Sequence, residues 1–222
     1  MQHKQWEKEY GSGPSTTPTT DRQEPSSCFK VFEGYLRENG LRIKGPILDL
    51  GCGNGRNAFY FAKKGHKVFA TEFVYSVLNK AKKQAEAKKI SNIDFIKHTL
   101  PEKLPFVDDS LGLVLDIATT TSLNANELKR TRDEVYRVLK PGGLFLTFTP
   151  ADHNPLYKNF KSKNKNKFVL LPNKVWNRIW NIPDLASFYS RFKPQIIYLK
   201  HKNDIMGGKK TQLDTIMGVF EK

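Results

Sequence analysis

Ile47-Leu48-Asp49-Leu50-Gly51-Cys52-Gly53-Asn54-Gly55-Arg56-Asn57 joins a short apolar run, glycines at alternate positions and a helical pattern that starts at once. The apolar run, Pro46 to Leu50, has the length of a buried strand. Gly51 and Gly53 remove the side chains that would keep a ligand away from the backbone. Free amides at the start of the following helix then face a polar or anionic group. Taken alone, the stretch is equally a tight strand-to-helix turn. Its surroundings narrow the reading. The next apolar strand ends about twenty residues on at Glu72, a carboxylate placed to accept hydrogen bonds from both hydroxyls of a ribose. A helix macrodipole also favours an acid there, but strand, loop, helix, strand and acid in this register point to a nucleotide cofactor. No Gly-Lys-Ser/Thr follows the glycines, so the loop is not a P-loop.

Outward from this loop the chain alternates. Arg56 to Lys64 reads as a helix capped by Gly65, Lys67 to Thr71 as a strand, Val74 to Lys89 as a helix and Ile93 to Lys97 as a strand. Leu111 to Ala118 is a fourth strand. Glu127 to Leu139 is a helix stopped by Pro141-Gly142-Gly143, before the strand Leu144 to Thr149. A helix around Asp184 to Phe192 precedes two further strands, Gln195 to His201 and Asp214 to Glu221, whose short link favours an antiparallel pair at the sheet edge. This rhythm predicts right-handed crossovers and a seven-stranded, mostly parallel sheet with an antiparallel edge strand. On the N-terminal side, Phe29, Phe32, Tyr35 and Leu36 recur at helical spacing. Gly11 to Ser27 is rich in Gly, Pro, Ser and Thr and reads as flexible, after an aromatic stretch from Trp6 to Tyr10. The expected organisation is a flexible segment or lid over residues 1–27 and a single domain over 28–222.

A chain of 222 residues with 38% hydrophobic residues is long enough to bury one full core. No apolar stretch is long enough to cross a membrane, the start lacks the apolar run of a secretory signal, and a cytoplasmic location is expected. Cys28 and Cys52 alone supply neither a disulfide framework nor a four-ligand zinc site, so no metal is expected. The net charge is +15, and Lys158 to Lys222 carries 14 Lys and Arg against 4 Asp and Glu. Such a bias attracts nucleic acid or acidic substrates, or serves solubility.

The motif LDLGCGNGRNA (Leu48 to Ala58) resembles the first motif of class I S-adenosylmethionine-dependent methyltransferases, especially the tellurite-resistance and thiopurine methyltransferase-like branch. The similarity continues through Val68 to Ala81, Leu104-Pro105-Phe106 with Asp108-Asp109-Ser110, and Val138-Leu139-Lys140-Pro141-Gly142-Gly143. It implies a Rossmann-like, doubly wound α/β fold with helices on both faces, and S-adenosyl-L-methionine as cofactor. Residue by residue, it implies that Asp49 orients the methionine part and that Gly51, Cys52, Gly53 and Gly55 line it. Glu72 would hold the ribose, and Phe73 would pack on the adenine. Thr99 and Leu100 would face the adenine ring. Asp116 and Ile117 would end the fourth strand beside the transferable methyl. Thr99 stands where many relatives carry an Asp, and Val74 where a Ser commonly follows the ribose-binding acid.

Methyl transfer from a sulfonium is an in-line displacement with a good, neutral leaving group, so alignment supplies much of the rate. The candidate proton acceptors are Asp116 and His153. Asp116-Ile117-Ala118-Thr119 lacks the prolines of exocyclic-amine enzymes, and the fifth strand lacks the lysine of ribose 2′-O enzymes. Trp6 and Tyr10 would fold over the pocket as a lid, and Tyr157 would join the substrate side. The insert over residues 152–183 has no acid between His153 and Pro183, and interleaves Lys158, Lys161, Lys163, Lys165, Lys167, Lys174 and Arg178 with aromatics. Lysines among aromatics suit phosphates and stacked bases, or a solvated loop whose aromatics pack on the core. The leading reading is a small-molecule acceptor. The alternative is RNA or another acidic macromolecule, and a non-catalytic cofactor-binding module stands third. The oligomeric state is open.

Overall fold

The computed structural model describes residues 2–11, 22–165, 167–206 and 209–222. Seven strands form one sheet: β1 (Ile47–Leu50), β2 (Val68–Glu72), β3 (Ile93–Lys97), β4 (Leu111–Ile117), β5 (Leu139–Pro150), β9 (Lys193–Met206) and β10 (Lys209–Glu221), in the order β3-β2-β1-β4-β5-β10-β9. β1 to β5 run parallel, and β10 is antiparallel to both β5 and β9. The antiparallel pair expected at the edge is therefore present. Its strands are longer than periodicity suggested, because residues 202–206 and 209–213 continue the ladder.

Alternation along each strand sorts the core to the two faces. Ile47, Val68, Ala70 and Leu115 face α2 (Phe29–Glu38) and α3 (Arg56–Ala62), meeting Phe29, Phe32, Phe61 and Ala58. α4 (Tyr75–Ala87) adds Leu78 and Ala85 to this layer. Leu48, Leu50, Val114 and Phe145 face the other way, against Leu128 and Val135 of α5 (Ala125–Val138) and Leu185 of α6 (Ile182–Phe188). α5 begins two residues before the expected Glu127 because Asn124 and Glu127 form a reciprocal capping box.

Two regions depart from the sequence reading. The insert is a folded unit, with β6 (Ser162–Lys163), β7 (Phe168–Leu170) and β8 (Trp176–Arg178) forming an antiparallel sheet. Its aromatics are largely inward: Phe168 and Trp180 are buried, while Lys158, Lys161, Lys163, Lys165, Lys167 and Lys174 are exposed. His3–Gly11 forms a helix, α1. The stretch expected to be flexible falls largely on residues 12–21, which lie outside the described residues. Residues 22–27 are tied down: Asn54 Nδ2 donates to the Arg22 carbonyl at 2.7 Å, and Ser26 N donates to Asn57 Oδ1 at 3.0 Å.

The strand order reverses between β1 and β4, which opens a crevice at their C-terminal ends, where ligands bind in sheets of this kind.

Candidate active site

Two cavities meet in that crevice. The first is lined by Gly51, Cys52, Gly53, Asn54, Arg56, Glu72, Phe73, His98, Leu100, Ile117 and Ala118, and roofed by His3, Trp6 and Tyr10 of α1. The second lies beyond Trp6, at the ends of β4 and β5 and under the insert, and encloses about 340 Å³. Trp6, Arg56, Ile117 and Ala118 belong to both walls.

The glycine loop is fixed by sterics. Gly51 sits at φ +59°, and a Cβ there would stand 2.3 Å from Thr119 Cγ2. Thr119 is itself held, its hydroxyl donating to the Leu50 carbonyl at 2.7 Å. Gly53, at φ +53°, leaves room for the Tyr10 hydroxyl, which would lie 3.1 Å from a Cβ. Gly55 does not line the cavity; a Cβ there would meet the Phe59 ring at 2.8 Å, so this glycine serves helix packing.

Glu72 ends β2, buried, with Oε1 accepting from the Phe73 and Val74 amides at 2.9 and 3.0 Å and Oε2 from the Gly53 amide at 3.1 Å. Burial raises its pKa and the three amides oppose the rise. Asp49 lies behind the loop. Burial pushes its carboxyl up to about 7, against the attraction of the Arg56 guanidinium. Asp49 Oδ2 has no hydrogen-bond partner among the described residues, and neither does His98 Nε2, which lines the first cavity as Asp49 does not. Burial lowers the His98 pKa, which keeps its imidazole neutral. A ligand with a hydrogen-bonding base beyond β3 would satisfy His98 Nε2, and an ammonium at the loop end would face the charge of Asp49 from across the loop. S-adenosylmethionine fits that description.

The other residues singled out from sequence divide sharply. Phe73, Leu100, Ile117, Trp6 and Tyr10 line the first cavity, and Tyr157 lines the second. Thr99 does not; its neighbour His98 takes the place instead. Neither candidate base reaches either cavity wall. Asp116 Oδ1 accepts from the Thr119 and Thr120 amides, both at 3.1 Å, and Oδ2 accepts from the Thr120 hydroxyl at 2.5 Å and the Thr147 hydroxyl at 3.4 Å. A buried carboxylate so engaged anchors the turn after β4. His153 is half-exposed on the outer side, with Nδ1 3.1 Å from Asp152 Oδ1 and Nε2 3.5 Å from Asp214 Oδ2.

Sequence reading missed what holds the roof. The Gln2 side-chain amide pairs with the Trp176 backbone, accepting from its N–H at 2.6 Å and donating to its carbonyl at 2.8 Å. It also donates to the Ser122 carbonyl at 3.1 Å. His3 stacks on Phe73 at 4.6 Å between ring centroids. α1 is thus fastened to the insert at its start and reaches the glycine loop through Tyr10. Burial, and then the charge of Glu72, raise the Tyr10 phenol far above its ordinary value.

Comparison with known proteins agrees with this geometry. Residues 47–143 match the methyltransferase domain family. Malonyl-[acyl-carrier protein] O-methyltransferase of Hamiltonella defensa is 30% identical over 52% of this chain and 42% of its own length. The tRNA 5-carboxymethoxyuridine methyltransferase of Escherichia coli is 27% identical over 61% and 51%. The chain spans about half the length of these curated relatives. Among solved structures, a SAM-dependent methyltransferase of Methanosarcina mazei superposes with a TM-score of 0.70 at 22% identity, over 84% of this chain and 96% of its own. TehB of Haemophilus influenzae superposes with a TM-score of 0.65 at 13% identity, over 86% and 62%. These likenesses agree in fold with the seven-stranded sheet. Among the described residues no helix is long and apolar enough to cross a membrane. Residues 47–143 thus match a methyltransferase domain, and the chain has the fold of S-adenosylmethionine-dependent methyltransferases of known structure.

Proposed function

We propose that this chain transfers the methyl group of S-adenosylmethionine to a small-molecule acceptor held in the second cavity. The observation that carries the reading is that cavity itself: a mostly apolar space walled by Phe148, Leu156, Tyr157, Phe160, Leu171 and Leu213, sharing Ile117, Ala118 and Trp6 with the cofactor side. Buried apolar pockets with few polar groups suit small molecules.

The bound cofactor supplies an electrophilic methyl on a sulfonium whose leaving group is a neutral thioether. The chain's own residues supply position and exclude water. Glu72 holds the ribose, Asp49 the ammonium, and Phe73 with His98 and Leu100 the adenine. Trp6 and Tyr10 close the roof as a lid. With Asp116 engaged and His153 outside, the described cavity walls offer no buried carboxylate or imidazole beside Ala118 to take a proton. The acceptor therefore brings a nucleophile that is already deprotonated or carries a free lone pair.

The alternative of an RNA acceptor has support in the tRNA-modifying relative and in the basic insert. The packing of that insert favours the small molecule. Lys163 lies over the Trp176 ring at 4.1 Å and the Arg178 guanidinium over Phe168 at 4.4 Å, so these aromatic faces are already occupied. The assignment to the tellurite-resistance and thiopurine methyltransferase-like branch rests on LDLGCGNGRNA and the likeness in fold to TehB. A cytoplasmic setting fits two buried, unpaired cysteines. The test is to incubate the protein with methyl-labelled S-adenosylmethionine and a fractionated cell extract. Label recovered among low-molecular-weight products supports the reading; label confined to RNA replaces it.

A further inference from the structure

β8 is the outer strand of the insert's small sheet, and an outer strand presents backbone N–H and C=O groups that no further strand takes up. At Trp176 the side chain of Gln2 takes them. Gln2 Oε1 accepts from the Trp176 N–H at 2.6 Å, and Nε2 donates to the Trp176 carbonyl at 2.8 Å. A primary amide offers the donor and acceptor of a peptide group, so Gln2 continues the ladder as a strand residue would. Its Nε2 also donates to the Ser122 carbonyl at 3.1 Å, in the turn after β4. The Gln2 carbonyl accepts from the Trp6 N–H at 3.4 Å. The residue that grips the insert is thus one helical turn from the residue that stands between the two cavities. α1 buries little apolar surface, since its buried residue is the acidic Glu9 while Trp6 and Tyr10 are half-buried. Elements docked in this way open at low free energy, and such elements serve as lids. Yet α1 roofs the whole cofactor cavity, from His3 stacked on Phe73 to Tyr10 over Gly53.

We infer that Gln2 is a positioning residue that latches α1 to the edge of β8, and that the cofactor enters and leaves only when this latch opens. The inference rests on the first cavity being the cofactor site and on α1 being its lid. It places the control of cofactor exchange on the insert, in hydrogen bonds to backbone rather than in apolar packing. The same insert walls the second cavity through Tyr157, Phe160, Leu171 and Asn177, the last of these next to Trp176. One latch therefore closes both chambers, with Trp6 as the partition between them.

The test measures association and dissociation rates of S-adenosylhomocysteine on the full chain by surface plasmon resonance. Gln2→Met keeps the length of the side chain and removes its hydrogen bonds. It should raise both rates about tenfold, the worth of the lost bonds, and leave the affinity within about threefold. Trp176→Phe keeps the backbone groups that Gln2 holds, so its rates should stay within about twofold of the wild type. Circular dichroism of both variants checks that they fold. Wild-type rates in Gln2→Met overturn the inference and leave the cofactor site standing. Faster dissociation with unchanged association also overturns it, because Gln2 then only adds to the hold on the ligand and gates nothing. Equal acceleration in Trp176→Phe overturns it in favour of side-chain packing within the insert. Absence of saturable binding to the wild type sinks the cofactor reading of the first cavity and this inference together.

Discussion

The cofactor cavity and the acceptor cavity share a wall but are built on different principles. The first is made by short-range constraints: a loop of positive-φ glycines at 51, 53 and 55, and a carboxylate at the end of the neighbouring strand. The second is assembled from segments scattered between Trp6 and Thr215, most of which carry no motif. The difference predicts where substitutions act. Changes in the loop should abolish cofactor binding through backbone strain, whereas changes in the acceptor cavity should spare the cofactor and alter what else binds.

The largest effect is expected for Gly51→Ala. The left-handed conformation costs a Cβ-bearing residue about 1–2 kcal/mol, and the contact with Thr119 adds about 1–3 kcal/mol of overpacking. Denaturant unfolding should show both, and calorimetry should show no saturable S-adenosylhomocysteine binding. Next is Asp116→Ala, which strands the Thr119 and Thr120 amides and should lower stability by about 3 kcal/mol. If Asp116 were instead a catalytic base at the surface of the cavity, activity would fall without that loss of stability. Glu72→Ala should weaken S-adenosylhomocysteine binding by about 10- to 100-fold, the range of hydrogen bonds to a charged group. Binding at wild-type affinity would remove the ribose role.

A pH effect sharpens the contrast further. Because the folded chain holds the Asp49 carboxyl at about 7 against an ordinary 3.8, it keeps a proton in that window that the unfolded chain has released. Stability without cofactor should therefore fall as pH rises from about 4 to about 7. A cofactor ammonium favours the ionised form, so S-adenosylhomocysteine affinity should rise over the same window, with proton release visible as a buffer-dependent binding enthalpy. Asp49→Asn should flatten both curves. The smallest effect belongs to the outer face of the insert. Replacing Lys161, Lys163 and Lys165 together by Ala should leave cofactor affinity within about twofold and change stability by only about 0.5 kcal/mol, as for exposed substitutions generally. A large loss of RNA affinity in that variant, coupled to loss of methyl transfer, would move the acceptor from the cavity to the surface.

Much of the cofactor half was legible before any coordinates. Strand period, glycine spacing and the position of Glu72 are properties of neighbouring residues, and the chain keeps them wherever it folds. The two candidate bases were misplaced for one reason. Sequence placed Asp116 and His153 at the right end of the sheet but not their side chains: the turn at Thr119 and Thr120 engages Asp116, and Asp214, far along the chain, faces His153. The shift from Thr99 to His98 is a one-residue difference in which side chain faces the cavity, beyond the reach of a motif. α1 was missed as a helix because its polar sequence has little amphipathic pattern, and its fastening depends on Trp176, 174 positions away from Gln2.

What the sequence by itself determined is the cofactor site: the Asp49 to Gly55 loop and Glu72 mark a nucleotide site because backbone conformation and strand order are local consequences of residue type, and the resemblance of the motifs implied that the nucleotide is a methyl donor. What only the tertiary structure decided is the second cavity, the proposed acceptor space. Trp6, Arg22, Arg56, Phe148, Tyr157 and Leu213 line one volume only when the sheet, the insert and the N-terminal helix close around it. Packing between residues distant in the chain has no signature in their spacing.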